Sequence, residues 1–166
     1  MSAFVPVTIG AALAPGLIWG LDLDETGGRP VEHCAAPRAS AFRWLHMNLA
    51  VHATRVWIEQ ATDLPQSVRE LMLAPDLHQH AVVEADAIGC VLHDFERDFD
   101  ATETTRIGVL RIAVTPTLIV TARLHPLRSA DIAKQKLSNG ARISGPGEAL
   151  DLVVGAICQN IGGIGR

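Results

Sequence analysis

Two histidines in the segment DLHQH have the spacing of a metal-binding pair. His78 and His80 are two residues apart, and in a β-strand that spacing points both side chains to the same face of the sheet. Imidazole nitrogens are common Zn²⁺ ligands, but zinc sites in proteins use three or four protein ligands, and the sequence identifies no third one. We predict a candidate metal pair at His78 and His80, with solvent-exposed histidines at the start of a strand as the alternative.

A second candidate is the acidic segment HDFERDFDATE, which carries carboxylates at alternating positions. Carboxylate oxygens bind hard cations such as Mg²⁺ and Ca²⁺, but the segment lacks the glycine and the final glutamate of an EF-hand loop. We predict Asp94, Asp98 and Asp100 as candidate metal ligands, with a hydrated acidic connection as the alternative. Even without a defined site, such carboxylates would raise the local cation concentration through their summed field.

His46 lies in the apolar segment FRWLHMNL and is a third candidate for chemistry. Catalysis would need a carboxylate or a nucleophile within hydrogen-bond distance, and no motif supplies one. We therefore predict that His46 is structural, with one ring nitrogen hydrogen-bonded to the backbone. We predict no catalytic residue, and we expect the three tryptophans to lie in the core because each ring buries a large apolar area.

Other motifs of enzymes and cofactor sites are missing. Gly140 and Gly145 have the gap of a phosphate-binding loop, but Pro146 stands where that loop needs lysine. The sequence has no G-x-S-x-G motif and no C-x-x-C pair, and its three cysteines are typical of reduced thiols. The sequence predicts no nucleotide cofactor and no disulfide framework.

Composition indicates one globular domain. The chain has 166 residues, of which 48% are hydrophobic and 19% charged, enough for a single core. The net charge is -4 and the basic residues are scattered, so nucleic acid is not an expected partner. Residues 1–15 are uncharged and interrupted by proline and glycine, and we predict a flexible leader there, with a targeting role as the alternative, followed by a single α/β domain over 16–166.

The predicted elements alternate between strands and helices. The strands are LIWGLDLD and VEHC around a Gly-Gly turn, FRWLHMNL, two within QHAVVEADAIGCVLHDF, and two around the turn Thr115-Pro116-Thr117. The two strands around Thr115-Pro116-Thr117 are expected to share one core formed by Leu110, Ile112, Val114, Leu118 and Val120. One helix is predicted behind an Asn48 N-cap, with the apolar stripe Leu49, Ala53, Val56 and Trp57. A second is predicted from Pro65 to Pro75, with the stripe Leu64, Val68, Leu71 and Met72. Further helices are predicted over HPLRSADIAKQKLSNG and behind a Ser144 cap. Because FRWLHMNL is apolar on both faces, we expect a layered α/β domain with a mixed sheet.

The order of these segments resembles the cytoplasmic N-terminal domain of the CorA/ZntB family of divalent-cation transporters, and its ZntB-like branch most of all. The segments that carry the resemblance run from about residue 17 to 160: LIWGLDLDETGGRP, FRWLHMNLAVHATRVWIEQATDLPQSVRELMLA, IAVTPTLIVTARLHPL and ISGPGEALDLVVGAI. The resemblance implies an αβα sandwich with a mixed, largely antiparallel sheet. It also implies a homopentamer that forms a cytosolic funnel on the cytoplasmic face of the inner membrane, with Zn²⁺ or Mg²⁺ as transported or regulatory ion.

In that family the pore consists of transmembrane helices with a Gly-Met-Asn motif. Here Met47 and Asn48 follow His46 instead of glycine and lie in a predicted strand, so they are not that motif. The resemblance therefore implies a chain truncated before the stalk and transmembrane helices, which contacts the membrane only through those missing helices and has no catalysis of its own. Two alternatives stay open: a metal-dependent hydrolase using His78 and His80, and a free-standing oligomeric assembly module.

Overall fold

The computed structural model describes residues 16–31, 42–97 and 106–164, with side chains described as far as residue 159. The predicted leader at 1–15, the predicted strand VEHC beyond Val31, and the candidate ligands Asp98 and Asp100 lie outside the described residues.

The apolar segments form one sheet. The described residues contain seven strands: β1 Leu17–Asp24, β2 Gly27–Pro30, β3 Phe42–Asn48, β4 His80–Glu84, β5 Ala87–Phe95, β6 Ile107–Val114 and β7 Leu118–Arg123. Their order across the sheet is β2-β1-β3-β7-β6-β5-β4. Among these described strands β3 and β7 run parallel, and the other neighbours are antiparallel. The predicted mixed, largely antiparallel sheet is confirmed.

Helices cover both faces of the sheet. The described helices are α1 His52–Gln60, α2 Gln66–Leu73, α3 Arg128–Ser138 and α4 Pro146–Ile164. One core joins Ile58 and Val68 of α1 and α2 to the sheet, and a second joins Ala133 and Val153 of α3 and α4 to the opposite face. The αβα sandwich implied by the family resemblance is confirmed.

Strand β3 lies between these two cores. Phe42 and Trp44 point to the α3/α4 side, whereas Leu45 and Met47 point to the α1/α2 side, and all four are buried. Successive side chains of a strand point to opposite faces, so a strand covered on both sides must be apolar at nearly every position. This is the interior strand that the sequence predicts.

The hairpin of β6 and β7 corrects one prediction about the core. Its turn is the predicted one, with the Thr115 N–H donating to the Leu118 carbonyl at 2.8 Å. Val114 is paired with Ile119, and both point to the α3/α4 side. Leu118 and Val120 point to the α1/α2 side, so the single shared core predicted for the two strands is wrong. The length of the turn sets the register and therefore the face of each side chain.

The first hairpin turns two residues earlier than predicted. Asp24 is paired with Gly27, and the Asp24 carboxylate accepts a hydrogen bond from the Thr26 N–H at 2.8 Å. Gly27 has a φ of 123°, in the region that favours glycine, and it begins β2. The predicted Gly-Gly turn is wrong because an aspartate-stabilised turn at 25–26 takes its place.

Helix α1 also begins later than predicted. Asn48 is not its N-cap: the Asn48 side chain accepts a hydrogen bond from the Ala50 N–H at 2.9 Å, and Val51 occupies the N-cap position. The buried face of α1 is centred on Thr54 and Ile58, one position away from the predicted stripe. The short turn over residues 49–51, to which the Asn48 side chain bonds, shifts the start of the helix relative to the sequence pattern.

Helices α2 and α4 follow the predictions more closely. Val68, Leu71 and Met72 of α2 are buried, as their spacing predicts, and the helix ends before Pro75. Before α4, the Ser144 hydroxyl donates to the Glu148 carboxylate at 2.8 Å, so Ser144 stabilises the start of this helix through a side chain of its first turn.

Candidate functional site

His46 lies in a row of side chains that crosses three strands. It is paired with Trp19 of β1 on one side and with Thr121 of β7 on the other. A bulge between Leu17 and Trp19 reverses the faces of β1, so Leu17 packs with the α1/α2 core and Trp19 with the α3/α4 core. The Trp19 ring therefore stacks on the His46 ring, with 5.1 Å between centroids.

One hydroxyl satisfies two polar rings in this row. The Trp44 Nε1–H donates to Thr121 Oγ1 at 3.0 Å, and the same oxygen is hydrogen-bonded to His46 Nδ1 at 2.8 Å. All three side chains are buried. The predicted structural role of His46 agrees with this geometry, but the predicted backbone partner is wrong, because the bond goes to the Thr121 side chain.

The environment of His46 keeps its imidazole neutral. Burial lowers the pKa of His46 to about 3, and the charges of Arg123 and Lys134 contribute in the same direction. His46 is only 3% exposed, so a proton on this ring would lie in the apolar interior beside two cations. The arrangement favours packing and hydrogen bonding over proton transfer near pH 7.

Asp94 of β5 caps the start of helix α3. Its carboxylate is 2% exposed and accepts hydrogen bonds from the Ser129 N–H at 2.9 Å and from the Ser129 hydroxyl. Its other oxygen accepts from the Phe95 N–H at 2.8 Å. Ser129 is in the first turn of α3, where an acidic group is favoured by the helix dipole and the unpaired N–H groups. Both oxygens of Asp94 are thus used by the fold.

A second carboxylate does the same for α2. Glu84 of β4 accepts hydrogen bonds from the Ser67 N–H at 3.1 Å and from the Ser67 hydroxyl. These two bonds hold the pKa of Glu84 below its ordinary value. Two strands therefore supply the acidic caps of two helices, one buried at Asp94 and one exposed at Glu84.

His78 and His80 lie on the segment that precedes and begins β4, which we call the histidine loop (residues 76–80). His80 is the first residue of β4 and His78 lies before it, so the prediction that both lie on one strand is wrong. His78 Nδ1 is 2.6 Å from an oxygen of Asp76, and His80 Nδ1 is 2.6 Å from the His78 carbonyl oxygen. The side chain of His78 is 91% exposed.

The histidine loop is anchored by side chains of β5 and β6. Arg111 donates to the Asp76 carbonyl at 2.9 Å, and also to the Leu71 carbonyl of α2 at 2.8 Å. His93 Nε2 is 2.6 Å from the Leu77 carbonyl oxygen, and the His93 N–H donates to the side chain of Gln79 at 2.9 Å. Sequence reasoning missed Arg111 and His93, because neither stands near the loop in the chain.

The carboxylate of Asp76 faces the loop histidines. Hydrogen bonds from the backbone and the side chain of His78 hold the pKa of Asp76 below its ordinary value, and the charges of His78 and His80 contribute further in that direction. Within residues 16–31, 42–97 and 106–164, no group of three or more His, Cys, Asp or Glu side chains is placed to hold a metal ion. The metal role of His78, His80, Asp94, Asp98 and Asp100 stays a prediction.

The sequence of the chain matches a known family over most of its length. The match to the family described as CorA-like Mg²⁺ transporter protein covers residues 39–163. This chain belongs to the CorA-like family. The family suggested by the order of the segments is confirmed.

Several solved structures share the fold of this chain. The full-length CmaX protein superposes with a TM-score of 0.80 at 20% sequence identity, over 90% of this chain and 47% of that one. The ZntB cytoplasmic domain from Vibrio parahaemolyticus RIMD 2210633 gives 0.70 at 16% identity, over 86% and 57%. The soluble domain of CorA from Methanocaldococcus jannaschii gives 0.65 at 12% identity, over 87% and 58%. The chain thus spans about half the length of these relatives.

No curated protein matches the sequence of this CorA-like chain. In the portion of the chain that the structure describes, no helix combines the length and the apolar character needed to span a bilayer.

Proposed function

We propose that this chain is the cytoplasmic, funnel-forming and regulatory domain of a CorA/ZntB-like divalent-cation transporter. The observation that supports it most is the family match over residues 39–163, together with an αβα fold shared with the ZntB cytoplasmic domain and the CorA soluble domain. The transported ion under this proposal is Mg²⁺ or Zn²⁺. The pore belongs to a part of the protein that these residues do not supply.

The length of the solved relatives supports a protein in which this chain is one domain and the membrane-spanning helices form another part. The solved relatives are about twice as long as the part that superposes on this chain, including the full-length CmaX protein. In the proposed protein residues 16–166 form one α/β domain, preceded by a flexible leader at 1–15, and stalk and transmembrane helices lie elsewhere in the sequence. The domain then sits at the cytoplasmic face of the cell membrane, as one of five copies.

The reading frame downstream of Arg166 tests the division into domains directly. We expect the gene to continue into a long helix and two apolar segments of about 20 residues each, the length that crosses a bilayer. An in-frame stop codon directly after Arg166 would contradict the transporter proposal and favour a free-standing assembly module.

Light scattering tests the assembly. The 17.7 kDa chain is expected to associate weakly by itself, because membrane contacts are absent and mass action then favours dissociation. The protein encoded by the complete gene, purified in detergent, is expected to have five times its subunit mass. A stable dimer of that protein would contradict the proposed funnel.

A further inference from the structure

We propose that a second copy of this chain pairs with the free edge of strand β4, antiparallel and about a two-fold axis at Val82, so that the sheets of the two copies become one. Such a pairing goes beyond the proposed function and does not depend on transport. It rests on the free backbone groups of β4, on its exposed apolar side chains and on the positions of its charges.

The two outermost strands of the described sheet differ in their protection. Strand β2 is four residues long and ends with Arg29 and Pro30, a charged side chain and a residue without a backbone N–H. Strand β4 has the sequence HAVVE, and its Val83 is 73% exposed. Charged side chains and prolines are the usual features that keep an edge strand from pairing with another chain, and the central residues of β4 have neither. The edge at β4 is therefore the one open to pairing.

The hairpin of β4 and β5 determines which backbone groups of β4 are free. Glu84 pairs with Ala87 across a two-residue turn, so these two residues exchange hydrogen bonds, and such pairs alternate along an antiparallel ladder. Every second residue of β4, counted from Glu84, therefore bonds to β5, and the N–H and C=O groups of Ala81 and Val83 point away from it. No other described strand lies beside this edge.

A two-fold axis at Val82 uses all of these free groups. Ala81 then lies opposite Val83 of the second copy, and all five residues of each strand are paired. Each Ala81 exchanges an N–H and a C=O with Val83 of the other copy, which gives two hydrogen bonds on each side of the axis. An axis at Ala81 or at Val83 would pair only three residues of each strand. The full overlap selects Val82 as the centre.

The exposed side chains of β4 fit this register. Val82 packs with the α1/α2 core, so Ala81 and Val83 point to the opposite face, where both are exposed. In the pair, Ala81 and Val83 of the two copies form one apolar strip across the joined strands. Cross-strand neighbours on one face remove apolar surface from each other's hydration, and this stabilises the pairing.

The charges of β4 favour the antiparallel direction. The strand begins with His80 and ends with Glu84, so the two-fold register sets each Glu84 opposite His80 of the other copy. Nδ1 of His80 is bonded to the His78 carbonyl oxygen, so a proton taken up by this ring goes to Nε2, the nitrogen that can donate to Glu84. A parallel pairing in register would instead set the two Glu84 carboxylates side by side. The strand is thus complementary to itself, which identifies a second copy as the occupant.

Sedimentation velocity of the 166-residue chain, at concentrations up to about 1 mM, tests the proposal. We expect an equilibrium between monomer and dimer. Val83→Lys places a charge in the apolar strip, and Ala81→Pro removes an outward N–H without removing a bond to β5, so each should weaken the dimer by about tenfold or more. Ile107→Lys is the matched control, because Ile107 is 62% exposed but lies on the interior strand β6. This variant should associate as the parent chain does.

Disulfide cross-linking tests the register, in a background that carries Cys34→Ser and Cys158→Ser. Val82→Cys should form a covalent dimer in air, because residues opposite each other in a non-hydrogen-bonded pair have Cα atoms about 4.5 Å apart. Ala81→Cys should not, because its two copies lie diagonally across the axis, about 7–8 Å apart.

Circular dichroism establishes that each variant is folded. The proposal is overturned if the parent chain does not associate, or if Val83→Lys and Ala81→Pro leave its association unchanged. Cross-linking through residue 81 and not through residue 82 would overturn it as well. Failure of transport by the complete protein would not affect any of these results.

Discussion

His46 and His78 are the same residue type in opposite environments. His46 is 3% exposed, stacked on Trp19 and bonded to Thr121, and burial keeps it neutral. His78 is 91% exposed and bonded to a carboxylate two residues away. The difference shows that a histidine inside a sheet acts through packing and hydrogen bonds made by distant strands, whereas a histidine on a loop retains a free nitrogen that ligands can reach.

The buried aromatic side chains around His46 are expected to contribute most to the stability of the fold. Trp44 is 1% exposed and packs against Trp19, with 5.3 Å between ring centroids. Trp44→Ala should lower the free energy of unfolding by about 4 kcal/mol, because the substitution leaves a large cavity. Urea denaturation measures this change. Trp57 is half-buried on α1, so Trp57→Ala should cost clearly less, and an equal cost would contradict the assigned packing.

The shared hydroxyl gives a sharper test of the same region. Thr121→Val keeps the size of the side chain but leaves the Trp44 N–H and the His46 ring nitrogen without their partner. We expect a loss of about 3 kcal/mol, since each unsatisfied buried group costs on the order of 1–3 kcal/mol. The same substitution at exposed Thr117 should change stability by less than about 0.5 kcal/mol. Similar values for the two variants would refute the network.

The two carboxylate caps separate burial from hydrogen bonding. Asp94 and Glu84 make the same bonds to Ser129 and Ser67, but only Asp94 is buried. Asp94→Ala should cost about 2 kcal/mol, because it leaves a buried N–H unpaired, and Glu84→Ala should cost clearly less, because its bonds to Ser67 are exposed to water. Thermal denaturation of both variants measures the difference. A larger loss for Glu84→Ala would contradict the assigned burial.

The pKa of His46 predicts a dependence of stability on pH. Its folded pKa of about 3 lies below the ordinary value of 6.5, so the unfolded chain binds this proton more readily. Above pH 6.5 the ring is neutral in both states, and this titration does not lower the free energy of unfolding. As the pH falls from 6.5 towards 3, the free energy of unfolding decreases by about 1.4 kcal/mol per pH unit, because only the unfolded chain binds the proton. Urea denaturation between pH 7.5 and pH 5 measures this slope, and His46→Asn should reduce it. An unchanged slope in that variant would contradict a neutral buried imidazole.

Substitutions of the exposed histidines His78 and His80 should have the smallest effect on the free energy of unfolding. His78→Ala and His80→Ala are expected to change the free energy of unfolding by less than about 0.5 kcal/mol, since neither side chain is buried. Guanidinium denaturation without added metal measures this. A loss above 2 kcal/mol would show that the loop histidines belong to the fold.

Local patterns predicted the elements of the fold well. Runs of apolar residues located the described strands except β2, which occupies the predicted Gly-Gly turn, and the spacing of Val68, Leu71 and Met72 located the buried face of α2. Errors arose where one polar side chain changed the backbone. Asp24 moved the first turn, and Asn48 delayed the start of α1. Such short-range bonds compete with the regular pattern and are hard to rank from sequence.

The sites were less predictable than the elements because they depend on register between distant strands. The partner of His46 is Thr121, 75 positions away, and it becomes a neighbour only through the parallel pairing of β3 and β7. The bulge that turns Trp19 towards His46 leaves no clear mark in the sequence. Asp94 read as an acidic-loop ligand because its bond to Ser129 spans 35 positions.

Cation flux through the complete protein tests the central claim most directly. The protein encoded by the full gene is reconstituted in liposomes that contain a Mg²⁺- or Zn²⁺-sensitive dye, and the external concentration of each ion is raised in turn. We predict entry of at least one of these ions, at a rate that empty liposomes do not show. An inserted, folded protein that passes neither ion would contradict the assignment of this chain to a cation transporter.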